Sequence, residues 1–292
     1  MSFCSRRRLC VRFFLLYFLY VDISARIKLV TSEIFEVLKK FKKPAITCSY
    51  GKDSILVVWF LRRLARNIPI VFSNTGFEYP ELYQFRRQII KDWNLTEHVV
   101  LPKHTFWWIV ERHGFPMYSK GRIAGYDRKF LPAHYCCLYL KKRPFNQFFS
   151  KSKFDLVMDG LRAQESDLRR YTIWKYGKLH YSKQNRIFKF HPIAKVTNKE
   201  REEIYEKYKI PYCKIYDYRM EGIQNRTGCW CCTLNWKYPK GKFLRTFYPK
   251  LWKILLDHGF ASACLSEKLQ SPVSQEYAMT QLETRPCLLD QL

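Results

Sequence analysis

The stretch from Pro44 to Arg66, PAITCSYGKDSILVVWFLRRLAR, constrains the fold more than any other part of the chain. A short apolar segment after a proline, Pro44 to Cys48, suits a buried parallel strand. It runs into a turn of small and charged residues, and Ile55 to Arg66 is then long enough for a helix. Gly51 at the junction lets the backbone approach a ligand. The first turn of the helix presents unpaired N–H groups and the positive end of the dipole, which together favour an anion such as phosphate. Lys52 adds a point charge, while Asp53 and Ser54 are placed to hold a water, a metal or the loop itself. The same residues also suit an ordinary strand-to-helix turn capped by Asp53 or Ser54, and the G-x-x-x-x-G-K-[ST] spacing of a Walker loop is absent.

Around this unit the chain alternates between two periodicities. Ile27, Val30, Ile34, Val37, Leu38 and Phe41 fall at three- and four-residue spacing and predict a leading amphipathic helix. Ile68 to Ser73 predicts a second strand, Tyr79 to Trp93 a helix, Val99 to Leu101 a third strand, and Phe154 to Met158 a fourth that ends at Asp159-Gly160-Leu161-Arg162. Thr197-Asn198-Lys199-Glu200 has capping-box spacing and starts a helix running to about Tyr208. Strands alternating with helices predict an α/β fold with a parallel sheet and right-handed crossovers, in which ligands sit beyond the carboxyl ends of the strands. That puts Ser49 to Ser54 and Asn74 to Glu78 at one mouth. The expected organisation is an N-terminal extension and leading helix over residues 1–43, one nucleotide-binding domain over 44–260, and a mobile tail over 261–292.

Charge narrows the partners. Lys and Arg total 52 against 25 acidic residues, a formal +27 spread along the chain, and such a surface attracts polyanions. Two stretches interleave aromatics with bases and contain no acid: Leu168 to His191 and Asn235 to Lys253. Cations contact backbone phosphates and aromatic faces stack on bases, so both stretches suit single-stranded or structured nucleic acid. A lysine-rich solvated surface over an aromatic core fits the same pattern. The eleven cysteines are an odd number, and five of them cluster in two short segments. This points to metal or redox chemistry in a reducing cytoplasm rather than to a secreted disulfide framework. The apolar stretch Phe13 to Val21 is too short to span a bilayer, so no transmembrane segment is expected and residues 1–26 read as a helix or extension on the fold.

Several loops occurring in order, SYGKDS, NTGFEYPELYQF, CCLYLKKRP, GLRAQESDLRR, HPIAKVTNKE and IPYCKIYDY followed by TGCWCC, resemble the phosphoadenosine phosphosulfate (PAPS) reductase family over about residues 44 to 240. The chain looks like a member of the adenine-nucleotide alpha-hydrolase-like group. The resemblance implies a Rossmann-like parallel sheet with a cysteine-rich metal-binding region. It also implies ATP or adenylyl sulfate/PAPS as ligand, its phosphates on the first loop, and Mg²⁺. On it, Ser49, Gly51, Lys52, Asp53 and Ser54 match the pyrophosphate loop, with Tyr50 where many members have a second glycine. Thr75, Gly76 and Glu78 match the loop bordering the nucleotide. Gly160, Arg162, Glu165 and Ser166 match a Gly-x-Arg-x-x-Glu-Ser element whose arginine would meet anionic oxygens through its planar fork, and Lys141 matches a lysine kept after the cysteine pair.

Cys136-Cys137 and Cys229-x-x-Cys232 are four thiolates that, brought together, can ligate zinc or an iron–sulfur cluster. An adjacent pair is awkward for an undistorted zinc tetrahedron, and the arrangement is similar to that of adenylyl-sulfate reductases with a [4Fe-4S] cluster. The expectation is therefore a [4Fe-4S] cluster, with Zn²⁺ as the alternative and buried free thiols as the remaining reading. Cys231, Cys213 and His134 are outside candidates. Family reductases carry a nucleophilic cysteine in a C-terminal Glu-Cys-Gly-x-His setting; here the tail offers only Ala263-Cys264-Leu265 and Pro286-Cys287-Leu288.

The expected function is cleavage of ATP between the alpha and beta phosphates, adenylating a substrate in sulfur transfer. Lys52 and the loop amides would stabilise the pyrophosphate leaving group, Asp53 would help hold Mg²⁺, and Arg162 would bind anionic oxygens. Two alternatives stand beside it. One is an adenylyl-sulfate or PAPS reductase that releases sulfite with Cys264, Cys287 or the thiol of a partner or electron-donor protein. The other is a nucleic-acid-binding protein without turnover.

Overall fold

The structure, a computed structural model, describes residues 22–64, 67–115, 132–220, 227–232 and 239–260, and the side chains of 132–134 and 239–241 are not described. In chain order the elements are α1 (Ile23–Leu38), β1 (Pro44–Thr47), α2 (Lys52–Arg63), β2 (Ile70–Ser73), α3 (Pro80–Trp93), β3 (Glu97–Val100), α4 (Phe106–His113) and α5 (Pro132–Cys137). A π-helical turn (Leu138–Lys142) leads into α6 (Arg143–Lys151), followed by β4 (Leu156–Met158), a 3₁₀ turn (Ala163–Glu165), α7 (Asp167–Tyr176), β5 (Leu179–Ser182), β6 (Ile187–Phe190) and α8 (Asn198–Tyr208). A 3₁₀ turn (Lys214–Tyr216), α9 (Pro239–Phe247) and α10 (Pro249–Asp257) complete the described chain. These elements fall into two interleaved compact units, one formed by residues 1–48, 52–70 and 153–212, the other by 49–51, 71–152 and 213–292.

In the first unit the strand order is β1-β4-β6-β5. β1 pairs parallel to β4 with Ile46 opposite Met158, β4 pairs parallel to β6 with Met158 opposite Phe190, and β5 closes antiparallel on β6. The central β4 is a continuous apolar run with all three residues buried, as a parallel strand covered on both faces requires. In register, β1, β4 and β6 end at one edge, and from that edge the chain continues into the loops that carry Asp53, Arg162 and His191.

The helices of this unit follow from patterning and caps. α1 buries Ile27, Val30, Ile34 and Leu38, one stripe at helical spacing, and Asp22 caps its N-terminus. α2 buries every residue from Ser54 to Leu61 and exposes only its ends. The capping box expected at Thr197 is present: the Thr197 hydroxyl accepts from Glu200 N–H at 3.1 Å, and the Glu200 carboxylate accepts from Thr197 N–H at 2.7 Å.

In the second unit β2 lies beside β3, with Asn74 N–H donating to the Val100 carbonyl at 3.0 Å. Tyr79 and Pro80 start α3, which buries Leu82 and Ile89; the left-handed Asn94 ends it. Thr105 caps α4 by accepting from Trp108 N–H at 3.2 Å.

The sequence expectations hold for every strand and helix they name, with shifted ends. The leading helix starts at Ile23 and ends at Leu38 rather than reaching Phe41, and α2 starts at Lys52 rather than Ile55, where Asp53 in the first turn complements the helix dipole. Unanticipated are α4, α5, α6, α9 and α10, and also α7 and the β5–β6 hairpin, where aromatic and basic residues obscure any apolar period. The expectations for residues 1–21 and 261–292 lie outside the described residues. Among the described residues, no helix is long and apolar enough to cross a membrane.

Thr197→Ala removes a cap that satisfies an orphan N–H of α8, and should lower unfolding free energy by about 1 kcal/mol. Urea denaturation would read this as a lower midpoint at constant slope.

Candidate functional site

The first unit gathers charge at the N-terminus of α2. Asp53 Oδ1 accepts from Arg162 Nε at 2.7 Å and from Arg201 Nη1 at 2.9 Å. Arg162 is only 1% exposed, and its remaining donors reach the Val196 carbonyl at 3.2 Å and Asn198 Oδ1 at 2.9 Å. Arg201 also donates to Glu202 Oε1 at 2.6 Å, and Glu202 Oε2 accepts from Lys52 Nζ at 2.6 Å. Lys52 Nζ lies 4.6 Å from the centre of the Tyr212 ring, a cation–π distance, while the Tyr205 hydroxyl donates to the Lys52 carbonyl at 2.7 Å. The result is an alternating series, Lys52, Glu202, Arg201, Asp53, Arg162, with three cations to two carboxylates. Burial opposes the charge on Glu202, but hydrogen bonding from Lys52 and the charge of Arg201 outweigh it and hold its carboxyl below the ordinary value.

Gly160 positions the arginine loop. A Cβ there would lie 2.7 Å from both the Asp53 carbonyl carbon and the Ser54 nitrogen, so only glycine lets the loop after β4 pack against the first turn of α2. Next to it, Asp159 Oδ1 accepts from Leu161 N–H at 3.0 Å and lies 2.7 Å from His191 Nδ1.

In the second unit, Gly51 has the same role in its own loop, since a Cβ there would meet Thr227 Oγ1 at 2.7 Å and the Tyr216 hydroxyl at 3.1 Å. Tyr50 adopts φ 55°, a left-handed conformation in which side chains are uncommon. Its ring is fully buried 5.3 Å from that of Phe72, and its hydroxyl donates to Glu97, which Arg86 grips in turn. Burial and this hydrogen bond offset the backbone cost at a position where glycine would be free of it.

The Asn74–Glu78 loop and the cysteine segment pair with each other. Glu78 and Cys229 form an antiparallel bridge, and Trp230 N–H donates to the Phe77 carbonyl at 2.8 Å. Glu78 is buried, accepting from the Thr75 hydroxyl at 2.8 Å and the Tyr83 hydroxyl at 2.9 Å, while Asn74 Oδ1 accepts from Gly76 N–H at 3.0 Å. Thr75 Oγ1 also lies 3.3 Å from Cys229 Sγ. Lys141, on the π-helical turn after Cys136-Cys137, is pushed up chiefly by the charge of Cys229 and further by Glu78, Cys137 and Cys232. Burial pushes the Cys136 thiol up, and the neighbouring Cys137, Cys229 and Cys232 add to it. Burial also raises Cys229, opposed by Lys141.

The four cysteines expected as ligands are thus electrostatic neighbours, and their chemistry, thiols beside a lysine that favours thiolate, suits iron or zinc. Among the described residues, however, no group of three or more His, Cys, Asp or Glu is arranged to hold a metal ion. The metal-binding region expected from the sequence is therefore not shown among the described residues. Of the outside candidates, Cys231 is buried, burial pushes Cys213 up to about 11, and the His134 side chain is not described. Asp53 likewise does not fit a protein-held Mg²⁺ site, since its oxygens face two guanidiniums; Mg²⁺ would arrive on the nucleotide phosphates. Arg162 is a buried partner of Asp53 rather than an exposed anion fork. Sequence reading missed Arg201 and Glu202, which follow the capping box of α8 and lie far in sequence from their partners.

With the geometry established, comparison with known proteins identifies the class. The phosphoadenosine phosphosulfate reductase domain matches residues 43–235, about two thirds of the chain, so the chain belongs to that family. A phosphoadenosine 5'-phosphosulfate reductase of Aliivibrio fischeri (strain MJ11) is 27% identical over 189 residues, spanning 64% of this chain and 69% of its own. One of Xylella fastidiosa (strain 9a5c) is 26% identical over 174 residues, spanning 60% and 67%. A crystal structure of phosphoadenylyl-sulfate (PAPS) reductase from Candida auris, a phosphate complex, superposes with TM-score 0.53 at 14% identity over 74% of this chain and 99% of that one. The fold is thus Rossmann-like and nucleotide-binding, with a mostly parallel sheet.

Arg162→Met leaves Asp53 short of its buried partner and should cost about 3–5 kcal/mol of stability. Arg201→Gln should cost markedly less, because Asp53 keeps Arg162. Urea midpoints of the two variants would check the order.

Proposed function

We propose that the chain binds ATP and cleaves it between the alpha and beta phosphates, adenylating an acceptor in sulfur transfer. The observation that carries this is the position of Lys52, an ammonium in the first turn of α2 held by Glu202, whose side chain is 41% exposed. An incoming pyrophosphate can displace a half-exposed carboxylate at small cost, because solvent-screened pairs contribute little. In the proposed step an acceptor oxygen attacks the alpha phosphorus, the bond to the bridging oxygen breaks, and Mg²⁺-pyrophosphate leaves with that oxygen. The acceptor proton passes to solvent. Hydrosulfide then attacks the carbon that bears the adenylated oxygen, the carbon–oxygen bond breaks, AMP leaves with that oxygen, and sulfur stays on the acceptor. Lys52 and the N–H groups of the first turn stabilise charge on the leaving group, and Arg162 and Arg201 fix the Asp53 carboxylate. Cys136, Cys137, Cys229 and Cys232 would hold a [4Fe-4S] cluster, with Zn²⁺ as the alternative; bound there, the cluster would supply electron transfer and sulfur-binding iron.

A second reading, sulfonucleotide reduction, is favoured by the names of the relatives. It needs a thiolate that attacks the sulfur of adenylyl sulfate with AMP leaving, and a second thiol that releases sulfite and forms a disulfide. Cys264 and Cys287 lie outside the described residues, and neither has the glycine and histidine flanks of the family nucleophile.

Anaerobically purified protein should release pyrophosphate and AMP from ATP, and Lys52→Ala should lower that rate by about 10²- to 10³-fold, the loss typical of one charge-stabilising group. Iron analysis should find about four irons per chain, lost when the four cysteines become serine. Sulfite release from adenylyl sulfate with no pyrophosphate from ATP would instead establish the second reading.

A further inference from the structure

α7 is a helix with no buried residue. Leu168, Tyr171, Trp174 and Lys175 recur at three- and four-residue spacing on it and are all exposed, Leu168 by 70% and Trp174 by 79%. A stripe of large side chains on the solvent side of a helix contributes little to the core, and contiguous exposed apolar surface of this kind marks a binding site more often than chance. The rings are grouped: Tyr171 and Trp174 have centroids 5.7 Å apart, and Lys175 Nζ lies 5.7 Å from the centre of Tyr171 and 5.3 Å from that of Tyr176. The exposed Tyr181 follows on β5. Between Leu168 and His191 there is no carboxylate, whereas Arg170, Lys175, Lys183 and Arg186 are exposed.

We propose that this face of α7, continued onto the β5–β6 hairpin, is a stacking platform for single-stranded nucleic acid. Trp174 and Tyr171 take unpaired bases on their ring faces, while Lys175 and the hairpin cations contact the backbone phosphates. Charge complementarity selects this occupant. A chain of formal charge +27 repels a second copy of itself, and a polyanion with aromatic bases satisfies both the cations and the rings. The platform names the acceptor class for the sulfur transfer proposed above and rests on that reading only for the transfer step; binding is measured without turnover.

The test is fluorescence anisotropy of the full chain with a labelled oligouridylate and oligothymidylate of about 12 nucleotides, within the span of known single-strand platforms, and with a duplex of the same length. Trp174→Ala and Tyr171→Ala should each weaken single-strand binding by about 5- to 150-fold, as expected for the loss of one stacked base. Thermal midpoints should be unchanged, since the side chains are exposed and alanine favours a helix. Lys175→Gln should reduce the salt slope by about 0.7, the value for one phosphate contact on a single strand. Equal binding by wild type and both aromatic variants would overturn the proposal, as would duplex binding as tight as single-strand binding. So would a concentration-dependent dimer that Trp174→Ala dissolves without any oligonucleotide affinity. Pyrophosphate release from ATP by the same variants should match wild type, so failure of the platform and failure of ATP cleavage are read separately.

Discussion

The ion pair between Asp53 and Arg162 is the contact on which the first unit depends. A guanidinium almost wholly removed from water is costly unless it is paired and hydrogen-bonded, and here a carboxylate, a backbone carbonyl and an amide oxygen accept from its three nitrogens. These bonds tie the loop after β4, the start of α2 and the start of α8 to one another. The close approach at Gly160 is the steric side of the same constraint. Asp53 is occupied by two arginines, and Lys52 is held by Glu202 at 2.6 Å, so the pyrophosphate proposed above would have to displace Glu202.

The second unit rests on a different kind of contact. Its Asn74–Glu78 loop and its cysteine segment are joined by backbone pairing, and the buried Glu78 gathers hydroxyls from Thr75 and Tyr83 while facing Lys141 and Cys229. The negative charge of Glu78 and of the neighbouring cysteines is what holds Lys141 above its ordinary value.

Much of the fold was legible because its strands are apolar runs bounded by Pro and Gly, and its helices carry caps or stripes. Thr197 to Glu200 marked α8, and the Ile27 stripe marked α1. The β5–β6 hairpin escaped because Tyr181 and Phe188 sit exposed on it, so the alternation that marks a half-buried strand is absent. In the candidate site, the loop positions of Lys52, Gly160 and Arg162 were legible from spacing. Their partners were not, since Glu202 and Arg201 lie well over a hundred residues away and carry no local signal of pairing. The pairing of Glu78 with Cys229 was hidden for the same reason. The four cysteines were legible as a set from their two clusters.

The most direct test of Lys52 as the ammonium that meets the pyrophosphate is calorimetric titration of Mg²⁺-ATP into Glu202→Gln and wild type. Removing the carboxylate that restrains Lys52 leaves Arg201 on Asp53 and loosens the hold on the ammonium. The account predicts Kd lower by several-fold in the variant, corresponding to about 1 kcal/mol for a pair whose carboxylate is partly exposed. Weaker binding in Glu202→Gln, or none in either protein, would contradict it.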